Sequence, residues 1–433
     1  MLNSIKKRFS RGETSQQHLE SVIYAEVYDS NPDNFRDACR DAARIRCEVL
    51  EETTGVSLQR IKGTTLDNGS LLGEEKILPG IEMKIGAATI PMGCAGPVKI
   101  NGEYAQGDIY IPLATNEAAL VAGVQRGIKA INMSGGVSVL VRDDGMHRAP
   151  ALEAPNIFEA RRFCREICDN RELTKELAQY VQDPFVRLDK IEPWQLGRKV
   201  YLRLKCKTGD AMGMNGVTKA SADITRALLD RLAGWRLVTI SSNLCCDKKS
   251  AHVNVLCGRG KSVESEVFLP EEVLQTVFKT GVTSRSVEKL VYNKCYLGSA
   301  LAGTIGGFNI NAANVLAAIF AATGQDLAQV VESSSCFIQA DAVEGGLNFT
   351  VSLPCLEVAT HGGGTMFGTA REALELMGCG GRGNSVDDNT AVMRLAEITA
   401  AAVTALDLNT ACAQAAGYEM ADSHVRLARG EDA

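Results

Sequence analysis

Residues 298–323 read GSALAGTIGGFNINAANVLAAIFAAT, nearly all small or apolar and without a single charge. That composition suits a helix buried at the centre of a domain and approached closely on several sides. It does not suit a membrane span, because the longest apolar runs, 315–323 and 398–406, fall far short of the roughly 20 residues a bilayer requires. A chain of 433 residues has room for about two or three domains around such a core. It needs neither disulfides nor metal to hold that core together.

Residues up to about 30 are polar and charged and predict a helical arm. Pro32-Asp33 then opens a helix whose apolar positions Phe35, Ala38, Cys39, Ala42, Ile45 and Val49 follow a 3.6-residue period and which Gly55 ends. Residues 56–110 read as short strands and turns. Thr115 and Asn116 are placed to cap a helix running to about Asn132, stopped by Gly135-Gly136. Between about 150 and 239, strand candidates at 185–188, 199–204 and 237–241 alternate with helices at 156–181 and 216–233, as in a compact inserted α/β domain. The last forty residues predict an Ala-rich helix and a polar tail.

Composition narrows the function. Net charge is −6, which disfavours a general nucleic-acid or anionic-membrane binder. The five histidines, His18, His147, His252, His361 and His424, include no HExxH pair, so a zincin-type site is excluded. Fourteen cysteines contain no CxxC and no apolar leader precedes them, so they read as small buried hydrophobes in a reducing cytoplasm. No metal is expected.

Two glycine-rich junctions could approach a phosphate. Asp210-Ala-Met-Gly-Met-Asn215 joins a strand to a helix, and Gly362-Gly363-Gly364-Thr365 joins the strand-like run 349–358 to a helix at 369–377. Each could equally be a plain turn. Gly378–Gly383 matches GxGxxG but lacks the strand–turn–helix context, so it reads as a loop. Four polar positions are hard to explain by packing alone: Glu117 in the first turn of an apolar helix, Asp247-Lys248-Lys249, Asp326 within GQD, and His424 near the C-terminus. Each also has an ordinary structural reading, as a dipole-favoured carboxylate, a solvated turn, a helix terminus and a surface histidine.

Taken together, these segments resemble the class I 3-hydroxy-3-methylglutaryl-CoA (HMG-CoA) reductases. The resemblance runs in order through GCAGP, ATNEAALVAGVQRGIKAI, DGMHRAP, TGDAMGMN, CCDKK, GTIGGFNINAAN, GQDLAQ and GGGT. It covers about four-fifths of the chain. The implied fold is α+β, a large domain around a central buried helix carrying a small inserted ferredoxin-like nucleotide-binding domain and a helical N-terminal arm. The implied boundaries are 1–80 for the N-terminal region, 81–149 and 240–433 for the substrate domain, and 150–239 for the NAD(P)-binding domain. The family's eukaryotic membrane anchor is absent, which resembles a catalytic portion alone.

Residue by residue, the resemblance implies a catalytic set of Glu117, Lys248, Asp326 and His424. It implies Arg148, Ser241, Asp247, Lys249, Lys294 and Asn314 around the hydroxymethylglutaryl group. It places Asp183, Asp210, Met212, Gly213, Met214, Asn215, Gly306, Gly363 and Gly364 near the nucleotide. The implied partners are HMG-CoA, CoA, and further copies of the chain, with active sites formed between subunits of a homodimer or larger homo-oligomer.

The implied reaction reduces a thioester to an alcohol with two hydrides. A fixed ammonium, Lys248, suits the oxyanion that builds on the carbonyl. His424 suits protonation of the departing thiolate. Glu117 is the candidate acid for the final alkoxide, provided that burial and the charge of Asp326 outweigh a helix N-terminus. Asp326 can hold Lys248 charged and oriented.

Where the family carries an arginine for the 2′-phosphate of NADPH, the local match here is Asp183-Pro184. An aspartate repels a phosphate and favours NADH, while Lys205 and Lys207 could restore NADPH binding. The cofactor is therefore NADPH or NADH. Asn311 stands where animal members carry histidine, and Gly430 where they carry a phosphorylatable serine. Open alternatives are oxidation of mevalonate, reduction of another acyl-CoA, and a silent CoA-binding regulator.

Overall fold

The computed structural model describes residues 1–63, 81–279, 281–381, 383–418, 421 and 425. The chain divides into two compact units, Met1–Pro91 with Met366–Arg371, and Met92–Thr365 with Glu372–Ala433. The domain boundary expected at 80 falls outside the described residues.

In the first unit, helices Leu2–Ser10, Leu19–Tyr28 and Phe35–Thr54 bury Ile5, Phe9, Leu19, Ile23, Ala38, Ala42 and Ile45. The last of them ends at Gly55, whose φ of 72° closes the helix with a left-handed residue. Arg46 is buried and forms a fork with both Glu20 oxygens at 2.6 Å. Its Nη1 also donates to the Lys84 carbonyl.

The second unit is a mixed α+β fold. Its strands are β1 (Met92–Gly102), β2 (Gln106–Ala114), β3 (Val137–Arg148), β4 (Ala151–Glu153), β5 (Arg187–Leu196), β6 (Lys199–Lys207), β7 (Arg236–Thr239), β8 (Gly260–Pro270), β9 (Gly307–Phe308), β10 (Cys336–Val343) and β11 (Gly346–Leu356). The main path runs β7-β4-β6-β3-β8-β11-β10-β9, with β1 between β2 and β3 and with β5 on β6. The long β3 serves two sheets. Ser138–Gly145 pairs antiparallel with β8, and Met146–Arg148 then pairs with Leu204–Cys206 of β6. Arg148 therefore ends a strand at the junction of two hydrophobic cores.

The smaller core holds Met146, Leu152, Phe163, Leu188, Ile191, Leu202, Leu204, Val217, Ile224 and Trp235. It lies between strands β4–β7 and helices Ile157–Asp169, Arg171–Ala178 and Met214–Leu229.

The segment 298–323 corrects the expectation of one central helix. Helix Ser299–Ala302 stops at Gly303 (φ 68°), Gly306 (φ 71°) leads into β9, and a new helix runs Ala312–Thr323. Glycines at left-handed positions break what the apolar composition alone would extend. The helix buried on all sides is instead Thr390–Ala415, Ala-rich and free of Gly and Pro. Its threonines return their hydroxyls to carbonyls one turn back, as Thr404 does to Ala400 at 2.8 Å. Its Glu397 accepts the backbone N–H groups of Glu103, Tyr104 and Ala105. Helix Leu120–Met133 packs on it so closely that a β-carbon on Gly127 would lie 1.9 Å from the Ala405 carbonyl oxygen.

That helix also begins later than its sequence predicts. Ala119 is its N-cap, at φ 71°, and residues 115–118 form a turn in which Thr115 Oγ1 accepts the Glu117 N–H at 3.0 Å. The hydroxyl competes with the helix for the backbone, so Glu117 precedes the helix and is not in its first turn.

Candidate functional site

Lys248 lies in the loop between β7 and helix His252–Cys257. Three non-glycine residues there are left-handed: Asn243 (φ 66°), Cys246 (φ 51°) and Lys248 (φ 59°). Each such residue costs on the order of 1 kcal/mol, so contacts from elsewhere must define the loop. Buried Arg259 donates from Nη2 to Asp247 Oδ1 at 3.0 Å, and Gln329 Nε2 reaches the same oxygen at 3.0 Å. The Lys248 N–H donates to Glu332 at 2.6 Å. Outward, Lys248 Nζ meets Asp326 Oδ2 at 2.8 Å. That bond raises the lysine pKa against the opposing effect of desolvation, so the ammonium persists.

Asp326 caps the short helical turn Leu327–Gln329 through Oδ1, which accepts the Ala328 N–H at 3.1 Å. One carboxylate thus fixes its own turn and orients the lysine.

Arg148 brings the expected substrate residues together. Its Nε and Nη2 donate to Thr218 Oγ1 at 2.9 and 2.7 Å, while Nη1 reaches Ser241 Oγ at 3.3 Å and Asp247 Oδ2 at 3.5 Å. Burial pushes Asp247 up, but Gln329, Arg259 and Arg148 together outweigh it and leave the carboxyl lowered. Lys249 is exposed and donates to the Asp247 carbonyl at 3.0 Å.

Glu117, Lys294 and Asn314 form a second group, at a cavity of about 370 Å³ lined also by Arg126, Asn311 and Asn409. Asn314 Nδ2 donates to Glu117 Oε1 at 3.1 Å. Lys294 projects from a π-helical stretch, Tyr292–Gly298, a distortion frequent at functional sites. Beneath the cavity, buried Asp407 accepts the Asn311 N–H at 2.7 Å. Asn314 stands near the start of helix Ala312–Thr323, whereas Asp326 follows its end. Its 12 residues span about 18 Å, so the Glu117 group and the Lys248 group sit at opposite ends of one helix.

The two glycine-rich junctions are neighbours. Ala211 pairs with His361, and the Thr360 and His361 N–H groups donate to the Asp210 carbonyl. Gly213, at φ 82°, caps helix Met214–Leu229. A β-carbon on Gly362 or Gly363 would meet nothing within 4 Å, so this face is open. On Gly364 it would lie 2.4 Å from the Gly324 carbonyl oxygen, which brings the GGGT turn against the GQD turn. Met212 Sδ and Met214 Sδ lie 3.9 Å from Gln329 Nε2 and 3.1 Å from Arg259 Nη2. Open glycines beside the N-terminus of a 16-residue helix fit a pyrophosphate.

Within this region Asp210 turns inward: its oxygens accept the N–H groups of Gly383 and Val392, each at 3.0 Å. Asn215 follows Met214 in the first turn of the helix. Asp183 accepts the Phe185 N–H at 2.9 Å. Its Oδ2 lies 2.6 Å from where a β-carbon on Gly216 would sit, against the same helix start. Gly306 lies elsewhere, its carbonyl accepting the Cys336 N–H and its Cα facing Ser335 and Val255. Lys207 is engaged by Asp143. His424 lies outside the described residues, as does Gly430. Burial, with Arg203 and Arg259, pushes His147 down to about 2, which keeps that imidazole neutral.

Sequence reading missed Arg259, Glu332, Glu357, Gln329, Thr218 and Asp407. Arg259 Nη1 binds Glu332 at 2.8 Å and also contacts Glu357. Asp247, Glu332 and Glu357 converge within 4.8 Å, but the guanidinium bonded to all three occupies the place a cation would take. The GRG spelling at 258–260 was the available signal. Both glycines are left-handed, at 72° and 75°, and turn the arginine inward.

The family model for hydroxymethylglutaryl-coenzyme A reductase matches residues 42–429. A 3-hydroxy-3-methylglutaryl-coenzyme A reductase of Aeropyrum pernix is 45% identical over 391 residues, 90% of each chain. One from Methanocaldococcus jannaschii is 39% identical over 432 residues, 99% of each. Reductase 2 of Capsicum annuum is 37% identical, covering 96% of this chain and 67% of its own. Among solved structures, the class II reductase of Streptococcus pneumoniae bound to NADPH superposes with a TM-score of 0.58 at 18% identity, over 86% of this chain and 96% of that one. At that identity the likeness concerns the fold.

Proposed function

Because the chain belongs to the hydroxymethylglutaryl-coenzyme A reductase family, we propose how its own residues divide the work of reducing HMG-CoA to mevalonate and CoA. The observation that carries the assignment is the 2.8 Å pair of Lys248 and Asp326 beside Arg148, Ser241 and Asp247. A bound nicotinamide supplies the hydride in each of the two reductions.

Negative charge builds on the thioester oxygen, and the Lys248 ammonium, kept charged by Asp326, stabilises it. Arg148, Ser241 and Lys249 hold the carboxylate and hydroxyl of the hydroxymethylglutaryl group, with Lys294 and Asn314 completing the pocket. His424 gives its proton to the leaving CoA thiolate. Glu117 protonates the alkoxide formed from the aldehyde, and Asn314 fixes the orientation of its carboxyl through Oε1.

One active site takes Lys248 and Asp326 from one copy of the chain and Glu117, Lys294 and Asn314 from another. The support is their separation along helix Ala312–Thr323 within a single chain. Mixing two variants that each fail to complete the reduction to mevalonate, Glu117→Gln and Lys248→Ala, tests this. Randomly exchanged dimers should regain roughly a quarter of wild-type turnover, since each unlike pair holds one intact site. No recovery after verified subunit exchange would place both residues in one chain's site.

The loops 210–215 and 362–364 bind the pyrophosphate, and residues 150–239 act as a ferredoxin-like nucleotide domain inserted in the substrate domain. Asp183 favours NADH over NADPH. No helix among the described residues is long and apolar enough to cross a membrane; a cytoplasmic location is part of this reading. Oxidation of mevalonate is the same chemistry reversed. Turnover of HMG-CoA with neither NADH nor NADPH would overturn the reductase assignment.

A further inference from the structure

We propose that Glu332 is a positioning residue for Lys248, holding the lysine backbone in the conformation from which its ammonium reaches Asp326. The inference rests on Lys248 as the oxyanion-binding group and adds what keeps it in place. Lys248 is left-handed at φ 59°, and no side chain within its own loop holds its N–H. That N–H donates instead to Glu332 Oε1 at 2.6 Å, from a residue with no exposed surface. Asp326 and Glu332 belong to one short stretch, so it grips the lysine at both ends, ammonium and backbone.

The carboxylate is in turn fixed from behind. Arg259 Nη1 binds Glu332 and Glu357 together, and the Glu357 N–H donates to Ser333 Oγ at 3.0 Å. The inward course of Arg259 is set by its flanking glycines. A β-carbon on Gly258 would lie 2.2 Å from Asp144 Oδ2, and one on Gly260 would lie 2.5 Å from the Leu356 carbonyl oxygen. Burial raises the pKa of both Glu357 and Glu332 while Arg259 pulls each back down. Of the two, the Glu332 carboxyl is the one that accepts the Lys248 N–H. The groups facing Lys248 are Asp326, Asp247 and Glu332, and those facing Glu332 are Arg259 and Glu357.

The test compares Glu332→Ala and Glu332→Gln with Lys248→Ala, in the full chain. Glutamine keeps an oxygen for the Lys248 N–H and an amide to face Glu357, whereas alanine removes the acceptor. Glu332→Ala should lose kcat on the order of a hundredfold, as misplacement of a reacting group does. Its dissociation constant for the reduced nucleotide should stay within about twofold of wild type, a change of under ~0.5 kcal/mol. The basic limb of its kcat profile should move to lower pH, because an ammonium swung away from Asp326 loses the bond that raises its pKa. Glu332→Gln should recover most of the lost kcat. Wild-type kcat in the alanine variant, or equal kcat loss in both variants, overturns the positioning role while an inactive Lys248→Ala leaves the lysine's role standing. An active Lys248→Ala overturns both.

Discussion

The Lys248 ammonium and the Asp326 carboxylate meet at 2.8 Å at a half-exposed site, and this bond raises the lysine pKa. The ammonium is the form that stabilises an oxyanion, so activity should persist into alkaline pH and fall as Lys248 deprotonates. Asp326→Asn removes the charge that raises the pKa. Its basic limb should therefore move to lower pH, with kcat reduced on the order of tenfold or more at neutral pH. A pH–rate profile of each protein checks this, and an unmoved limb would count against the pair.

Glu117 and Lys248 should separate the two reductions. Glu117→Gln keeps an oxygen for Asn314 Nδ2 and so removes the proton while leaving the pocket intact. Reduction of added mevaldehyde should fall by roughly a hundredfold, with thioester reduction still detectable. Lys248→Ala should abolish both. Single-turnover assays of the two steps read the difference, and equal losses in Glu117→Gln would refute the assignment.

The residues proposed to meet substrate were legible because their chemistry is spelled in short motifs: Asp247, Lys248 and Lys249 are contiguous, and Asp326 sits in GQD. The groups that position them were not. Glu332 stands in no motif, and its buried carboxylate is held by Arg259 and neighbours Glu357, both far off in sequence. The adjacency of the 210–215 and 362–364 junctions follows from one pairing, Ala211 with His361, that no local pattern contains. Composition also misplaced the central helix. Small residues mark close approach, but Gly303 and Gly306 bring turns as well as proximity, whereas the unbroken alanines of Thr390–Ala415 bring only helix.

Asp407 should make stability depend on pH. Complete burial pushes its carboxyl up to about 6, against the N–H groups of Asn311 and Ile310 that favour the charged form. The folded protein therefore binds this proton more tightly than the unfolded chain. The associated stability is full below about pH 4 and is lost as pH rises through about 6, up to about 3 kcal/mol in all. Asp407→Asn cannot ionise. Its thermal midpoint should rise relative to wild type between pH 4.5 and 8, by about 2–4 °C or more. A constant difference between the two proteins across that range would show that Asp407 does not titrate there.

Asp183 should set the cofactor. Its carboxylate lies against the start of helix Met214–Leu229, 2.6 Å from the place of a β-carbon on Gly216, and Lys207, one of the two lysines that could bind a phosphate, is engaged by Asp143. A 2′-phosphate brought to Asp183 would meet like charge, whereas a free 2′-hydroxyl can donate to it. Wild-type kcat/KM should favour NADH. Asp183→Ser should lower the NADH-to-NADPH ratio by about tenfold, equivalent to ~1.4 kcal/mol, chiefly by improving KM for NADPH. Measuring kcat and KM with each nucleotide at fixed HMG-CoA decides it. A ratio unchanged by Asp183→Ser would move the determinant to another residue of the small domain.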